Sequence, residues 1–220
     1  IIFFDDDDIP HPENLEICLK ELASEEYKFC RYLRAVFTND FDYNFDAQEN
    51  YTSFEIATRD IAKMIDHTWP FNSCAVMWSK DCFEDCRFNE SLMYAEEWEC
   101  YSRILSENIK GISIDKTLFY ARKHKASNTG EFWNKNPIRI NSNKVAIRLI
   151  AENLQSKKLL APYLLNNLMG SAIRFRDLTL VKKISKLAQL NVNKKLFFKF
   201  KYWSYPIWVI YKRFLKRFRK

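Results

Sequence analysis

Glycine is scarce in this chain: Gly111, Gly130 and Gly170 are the only three in 220 residues. That argues against a glycine-rich phosphate loop or a dinucleotide fingerprint within these residues, since both need closely spaced glycines to bring backbone up to phosphate. Any grip on a nucleotide must then rest on side chains and metal, or on sequence outside these residues. Long apolar runs are lacking too, and none approaches the roughly 18 residues of a spanning helix. No stretch resembles a secretory signal. The six cysteines (Cys18, Cys30, Cys74, Cys82, Cys86, Cys100) follow no zinc pattern, because the close pair Cys82 and Cys86 has no second pair or histidine cluster beside it. They read as reduced, mostly buried thiols of a cytosolic protein. Acids are missing from one region altogether: residues 194–220 hold ten Lys or Arg and no Asp or Glu. The whole chain carries +7, so residues 1–193 are net acidic and the tail is strongly basic.

What is present is concentrated at the start. Ile1-Ile2-Phe3-Phe4 reads as a buried strand, apolar on both faces, and Asp5-Asp6-Asp7-Asp8 follows it directly. In open α/β sheets the carboxyl ends of the strands are where ligands bind. Four adjacent carboxylates repel, and a hard divalent cation with oxygen ligands removes that penalty. Two readings follow, a solvated acidic turn or a metal or substrate site. A strand this apolar needs neighbours to pair its backbone, so a portion preceding Ile1 is expected.

Further along, residues 13–22 have helical spacing and residues 27–37 alternate as a strand. Residues 38–53, with Asn39, Asp40, Asp42, Asn44, Asp46 and Asn50, read as a polar loop at the active edge. The pattern predicts a helix over 56–65, a strand over 72–78, a short helix over 80–83, a helix over 97–105 and a strand over 112–120. From about residue 139 it is helical throughout, over 140–154, 158–174 and 178–190. Strands alternating with helices, then helices alone, give an α/β class followed by an α-helical region.

A second acid pair, Glu96-Glu97, opens the helix over 97–105, where the macrodipole favours negative charge. Adjacent residues do not share a helical face, so the two carboxylates have different tasks. His11, His67 and His124 are isolated, the ordinary situation of a satisfied imidazole.

Taken in order, an apolar strand ending Asp5-x-Asp7-Asp8, then Pro12, Glu13 and Leu15, then Phe88-Asn89-Glu90-Ser91-Leu92, Glu96-Glu97-Trp98, Arg103 and Tyr120-x-Arg122-x-His124 resemble the second half of glycosyltransferase family 2, enzymes with the GT-A fold. The resemblance covers about residues 1–130 and leaves the helical region and tail outside it. It implies a partial GT-A fold lacking its N-terminal strands, and inverting transfer of a sugar from a nucleotide-diphosphate donor to a hydroxyl of a glycan or lipid-linked acceptor. Cell-surface polysaccharide or lipopolysaccharide synthesis is the setting it suggests. By that resemblance Asp7 binds Mn²⁺ or Mg²⁺ bridging the two phosphates, Asp5 helps seat the nucleoside-sugar and Asp8 follows the family pattern. His124 matches a histidine that related enzymes use near metal and diphosphate. Glu97 falls at the catalytic base, where the family usually has Asp, and Glu96 at the Glu before it. Trp98 is expected beneath the acceptor cleft, and Arg103 is expected to anchor its helix. Asn72 and Ser73 stand where relatives often carry a small glycine-containing loop facing the donor. The expected domains are residues 1–135 for the C-terminal half of the catalytic domain, 136–193 for a helical extension and 194–220 for the tail.

In that tail, aromatic and aliphatic residues alternate with cations, the composition of segments that lie in the interface of an anionic membrane. Pro206 is expected to break any single long helix. A packed helix with its cations in water and a nucleic-acid surface are the other readings, and the acidic body argues against nucleic acid. The expected location is cytoplasmic and peripheral, on the inner face of the cell membrane. A non-catalytic membrane-associating fragment or module is the alternative from a different class, and residues 1–220 alone need not be active.

Overall fold

The computed structural model describes residues 1–124 and 127–217. It is mixed α/β and divides into two compact units, Ile1–Ser142 and Asn143–Lys220. The last three residues of the basic tail, 218–220, lie outside the described residues.

The first unit is built on one mixed sheet. Its strands are β1 (Ile9–Pro10), β2 (Phe29–Phe37), β3 (Ser53–Ala57), β4 (Val76–Trp78) and β5 (Lys110–Arg122). The order is β1-β5-β2-β4, with β3 on β5 as well. The long strand β5 serves three partners: β1 and β3 pair antiparallel with successive stretches of it, and β2 runs parallel to it. Helices α1 (Asn14–Glu21), α2 (Ile61–Ile65), α3 (Glu96–Leu105) and α4 (Asn128–Trp133) complete the unit. The core joins Cys18, Cys30, Tyr32, Cys74, Met77, Ile114 and Leu118 from sheet and helix. Gly111 lies against β2 so closely that an added Cβ would sit 2.4 Å from the Phe29 carbonyl oxygen, which only glycine permits. All six cysteines are free, four of them buried.

Three expectations need correction. Residues 1–4 form no strand ladder: Ile1 exchanges two backbone hydrogen bonds with Trp78, and the segment is assigned no strand. Ring packing holds it instead, with Phe3 edge-on to Phe83 and Phe88 and Phe4 stacked on Phe119. Residues 56–65 are not one helix. Ser53–Ala57 pairs with β5, and a 3₁₀ turn at Thr58–Asp60 leads into α2, so long-range pairing overrides the local apolar spacing. The polar loop after β2 is irregular as its composition predicts, and it is anchored to β5. Asp46 Oδ2 accepts from Thr117 N at 2.8 Å, and buried Lys116 donates to the Asp46 and Gln48 carbonyls.

Helix α5 (Pro137–Ser156) runs from the first unit into the second, which continues with α6 (Pro162–Arg174), α7 (Leu178–Leu187) and α8 (Val192–Arg217). Buried apolar side chains recur at helical spacing, among them Ile147, Ile150 and Leu154, then Leu165, Leu168 and Ala172, then Val181 and Ile184. The third correction lies here, because α8 continues through Pro206. Proline removes the donor for the carbonyl four residues back, which is that of Tyr202. The Arg176 guanidinium donates to this carbonyl and lies 4.2 Å over the Tyr202 ring, and the Arg176 backbone carbonyl accepts from the Tyr202 hydroxyl at 3.1 Å. An outside donor thus replaces the missing amide. No helix among the described residues is long and apolar enough to cross a membrane.

Candidate active site

The carboxyl ends of the parallel pair β2 and β5 place the acid run. Antiparallel pairing of Ile9 with Tyr120 brings the chain alongside the end of β5, and Asp8 Oδ1 accepts from the Arg122 backbone N–H at 2.6 Å. The Arg122 side chain donates to the Asp7 carbonyl at 3.2 Å. The run is therefore an ordered turn held at the sheet margin.

Two adjacent cavities open there. The smaller, of about 160 Å³, is lined by Asp5, Asp8, Arg34, Asn72, Glu96 and Glu97, with Cys74, Tyr94 and Thr129 closing its walls. The larger, of about 490 Å³, is lined by all four aspartates, Arg34, Arg122 and His124, with Trp133 at one side. Asp5, Asp8 and Arg34 belong to both.

Glu96 and Glu97 open α3, and three glutamates in its first turn suit the positive end of the dipole. The helix starts after Ala95, whose backbone is left-handed at φ 64° with no side-chain cap. Serine 142 holds the approach to this start: the Met93 and Tyr94 amides donate to its hydroxyl, which donates to the Tyr94 carbonyl. At the far end Arg103 bonds Glu99 twice and reaches the Arg87 carbonyl and the Cys86 thiol, which anchors the helix away from the cavity.

The electrostatics of the site are uneven. Burial raises the Glu97 carboxyl to about 7, with repulsion from Glu96 and Asp5 adding to it and Arg34 opposing. Burial likewise raises Asp8, against the Arg122 amide hydrogen bond, with Asp7 and Asp5 pushing the same way. One Glu96 oxygen, Oε2, is buried with no hydrogen-bond partner among the described residues. Such an orphaned atom at a cavity wall is what a bound group or water would satisfy.

The sequence-selected residues fall into two sets and one outlier. Asp5, Asp8, Asn72, Glu96 and Glu97 share the smaller cavity. Asp7 and His124 meet in the larger one, with His124 Nε2 3.2 Å from Asp7 Oδ2. Trp98 lines neither; it is buried and packs against the His67 ring at 5.3 Å. Asp5 gathers instead with Asp8 and Cys74, their ligand atoms within 4.8 Å of one another. Burial pushes the Cys74 thiol up to about 11, so it stays protonated and ill suited to a hard cation. His11 is satisfied on both ring nitrogens, by Glu13 N and the Asp46 carbonyl.

Arg34 is the principal residue that sequence reasoning passed over. It pairs with Phe119 on β5, and strand alternation turns it to the cavity side with Val36. A cation three residues before the end of a parallel strand was the available signal. Searches of protein-family models and of curated proteins return no match for this chain.

Proposed function

We propose that this chain carries the acceptor and diphosphate side of a glycosyltransferase of family 2, with a partial GT-A fold, that moves a sugar with inversion from a nucleotide-diphosphate donor to an acceptor hydroxyl. The observation that carries the reading is that two acid groups far apart in sequence, Asp5 with Asp8 and Glu96 with Glu97, face one small cavity beside Arg34. Folding gains nothing from gathering like charges in a half-buried site, and a charged ligand would compensate it.

In this reading Glu97 accepts the proton of the acceptor hydroxyl as its oxygen attacks the anomeric carbon, and the bond to the diphosphate breaks on the opposite side. A carboxyl held near pH 7 suits a general base at neutral pH. Glu96, Asn72 and Asp5 position sugar and nucleoside, and Arg34 faces the phosphate charge. Asp7, Asp5 and His124 are the proposed ligands of Mn²⁺ or Mg²⁺; their oxygen and imidazole donors fit such an ion, which would neutralise charge building on the departing diphosphate.

The membrane reading of the tail has support of a different kind. Phe198 and Tyr202 of α8 are buried, while Phe200, Trp203, Ile207 and Ile210 are 70%, 65%, 72% and 68% exposed. The helix therefore packs by one narrow face and turns an apolar arc outward, flanked by lysines. A packed helix with only its cations in water would show the reverse. An anionic membrane surface on the cytoplasmic side, bearing a lipid-linked acceptor, suits that arc. The same arc is the observation favouring the alternative of a non-catalytic membrane-associating module.

The test is a nucleotide-sugar panel with Mn²⁺ using the intact protein. Transfer is expected, lost on Asp7→Asn together with metal-dependent nucleotide binding. Release of free sugar from a glycan without any nucleotide would instead indicate hydrolysis by the paired carboxylates, and unchanged turnover in Asp7→Asn would remove the metal assignment.

A further inference from the structure

The second unit contains a groove for which sugar transfer has no use. Asn166, Gly170 and Arg174 recur every four residues on α6, and Lys201, Tyr205 and Trp208 lie on one face of α8. Together they line a space of about 490 Å³, within the range of small-ligand sites.

Three properties define its chemistry. It is cationic without compensation: no acid lines it, and neither Arg174 nor Lys201 has a carboxylate partner among the described residues. Arg174 donates one bond, to Ser171 Oγ at 2.8 Å, and its remaining donors are uncommitted among the described residues. The groove has an aromatic wall, with Tyr205 and Trp208 stacked at 5.8 Å and Lys212 lying 4.1 Å over the indole. Its floor is open, because a Cβ built on Gly170 meets nothing within 4 Å. Trp208 also belongs to the outward apolar arc, so the cationic pocket and the apolar surface are continuous along α8.

A cationic pocket beside an exposed aromatic arc matches an anionic phospholipid, whose phosphate sits at the level of interfacial Trp and Lys while its chains lie deeper. We propose that the groove between α6 and α8 seats the phosphate headgroup of an anionic phospholipid while the arc enters the bilayer interface. The proposal rests on the membrane reading of the tail and adds a defined site to it. Arg174 and Lys201 bind the phosphate oxygens, the carboxamide of Asn166 meets headgroup hydroxyls, and Gly170 keeps the space clear.

Flotation of the full chain with phosphatidylcholine vesicles, with and without phosphatidylglycerol, tests it. Wild type is expected to float with the anionic vesicles. The double variant Arg174→Gln/Lys201→Gln should bind them about tenfold more weakly than Lys194→Gln/Lys195→Gln, which removes equal charge outside the groove. Gly170→Leu, which alters no charge and projects into open space, should weaken anionic binding severalfold with circular dichroism unchanged. If both double variants lose equally and Gly170→Leu binds as wild type, the groove site is wrong while the membrane reading stands. If wild type floats with neither vesicle, or if the arc instead holds two copies of the chain together, both fall. A tryptophan fluorescence change with glycerol 1-phosphate in solution as large as with vesicles would overturn the lipid assignment in favour of a free phosphate.

Discussion

The two units depart from ordinary folding economy in opposite ways. In the first, charge is drawn inward: Glu97 and Asp8 lose water around one cavity, Glu97 repelled by Glu96 and Asp5, and Asp8 by Asp7 and Asp5. In the second, apolar surface is pushed outward, with Trp203 and Ile207 exposed on a helix that buries only a narrow face. Each is the arrangement that stability alone would remove, by neutralising the acids or by replacing the aromatics with polar residues. Where a fold tolerates such a feature, a partner of complementary character is the natural compensation. The first unit thus calls for a cationic or hydrogen-bonding ligand, the second for an apolar and anionic surface.

The strongest way to break this comparison is Glu97→Gln. If Glu97 is the base, transfer by the intact protein should fall by about 10²–10⁴-fold. The same change should stabilise the fold at alkaline pH. The folded carboxyl stands at about 7 against an ordinary 4.5, so its contribution to stability is complete below 4.5 and lost as pH rises through about 7. Glutamine lacks that loss. The variant should match wild type near pH 4.5 and exceed it by about 3 kcal/mol at pH 8.5 in denaturant unfolding. Wild-type transfer should rise with pH to a plateau above about 7. An advantage of the variant over wild type no larger at pH 8.5 than at pH 4.5 would mean that the first unit carries no stored charge penalty.

Glycine offers the next contrast. Gly111→Ala forces a methyl to 2.4 Å from the Phe29 carbonyl and should cost about 3 kcal/mol, since backbone cannot move aside cheaply. Gly170→Ala meets nothing within 4 Å and should stabilise α6 by about 0.5–1 kcal/mol through helix propensity. Equal effects at the two positions would erase the distinction between a tightly packed sheet and an open groove. Thermal and denaturant unfolding of both variants decides it.

How far these features were legible in sequence depended on whether their cause was local. Helices α6 and α7 were expected over 158–174 and 178–190 and run Pro162–Arg174 and Leu178–Leu187, because apolar spacing of 3.6 is written along the chain itself. Ser53–Ala57 was hidden because Ile56, Ile61 and Ile65 fit a helix and only the register of Glu55 against Ile112 makes the first part a strand. The acid run and the glutamate pair stood out by residue type. That they share a cavity depends on β1 docking beside β5, and that Arg34 joins them depends on the register of β2 on β5, neither of which spacing encodes. Asp7 pairs with His124 and Asp5 gathers with Asp8, while all of them line the same larger cavity, a division that residue type does not foretell.

Pro206 was legible as a breaker, and its rescue was not. Arg176→Leu should remove the donor to the Tyr202 carbonyl and destabilise the second unit by about 1–2 kcal/mol. In a Pro206→Ala background the restored amide at position 206 takes over that carbonyl, so the same substitution should cost less. A double-mutant cycle should give a coupling of about 1 kcal/mol. Additive effects would leave the continuity of α8 to its packing through Phe198 and Tyr202 alone.

The smallest expected effect tests whether the first unit stores strain in its backbone as well as its charges. Ala95 holds φ 64° at the start of α3, a conformation glycine adopts freely and alanine at a penalty of about 1 kcal/mol. Ala95→Gly should therefore gain about 0.5–1 kcal/mol, less the entropy that glycine releases in the unfolded chain. Its consequence for transfer is the sharper readout. The left-handed residue sets the direction from which Glu96 and Glu97 enter the cavity, and a freer backbone widens the range of carboxylate positions. A variant more stable and yet severalfold slower, with the pH midpoint of transfer still near 7, would place the strain in the service of aiming the base. One equally fast would make it incidental to the turn.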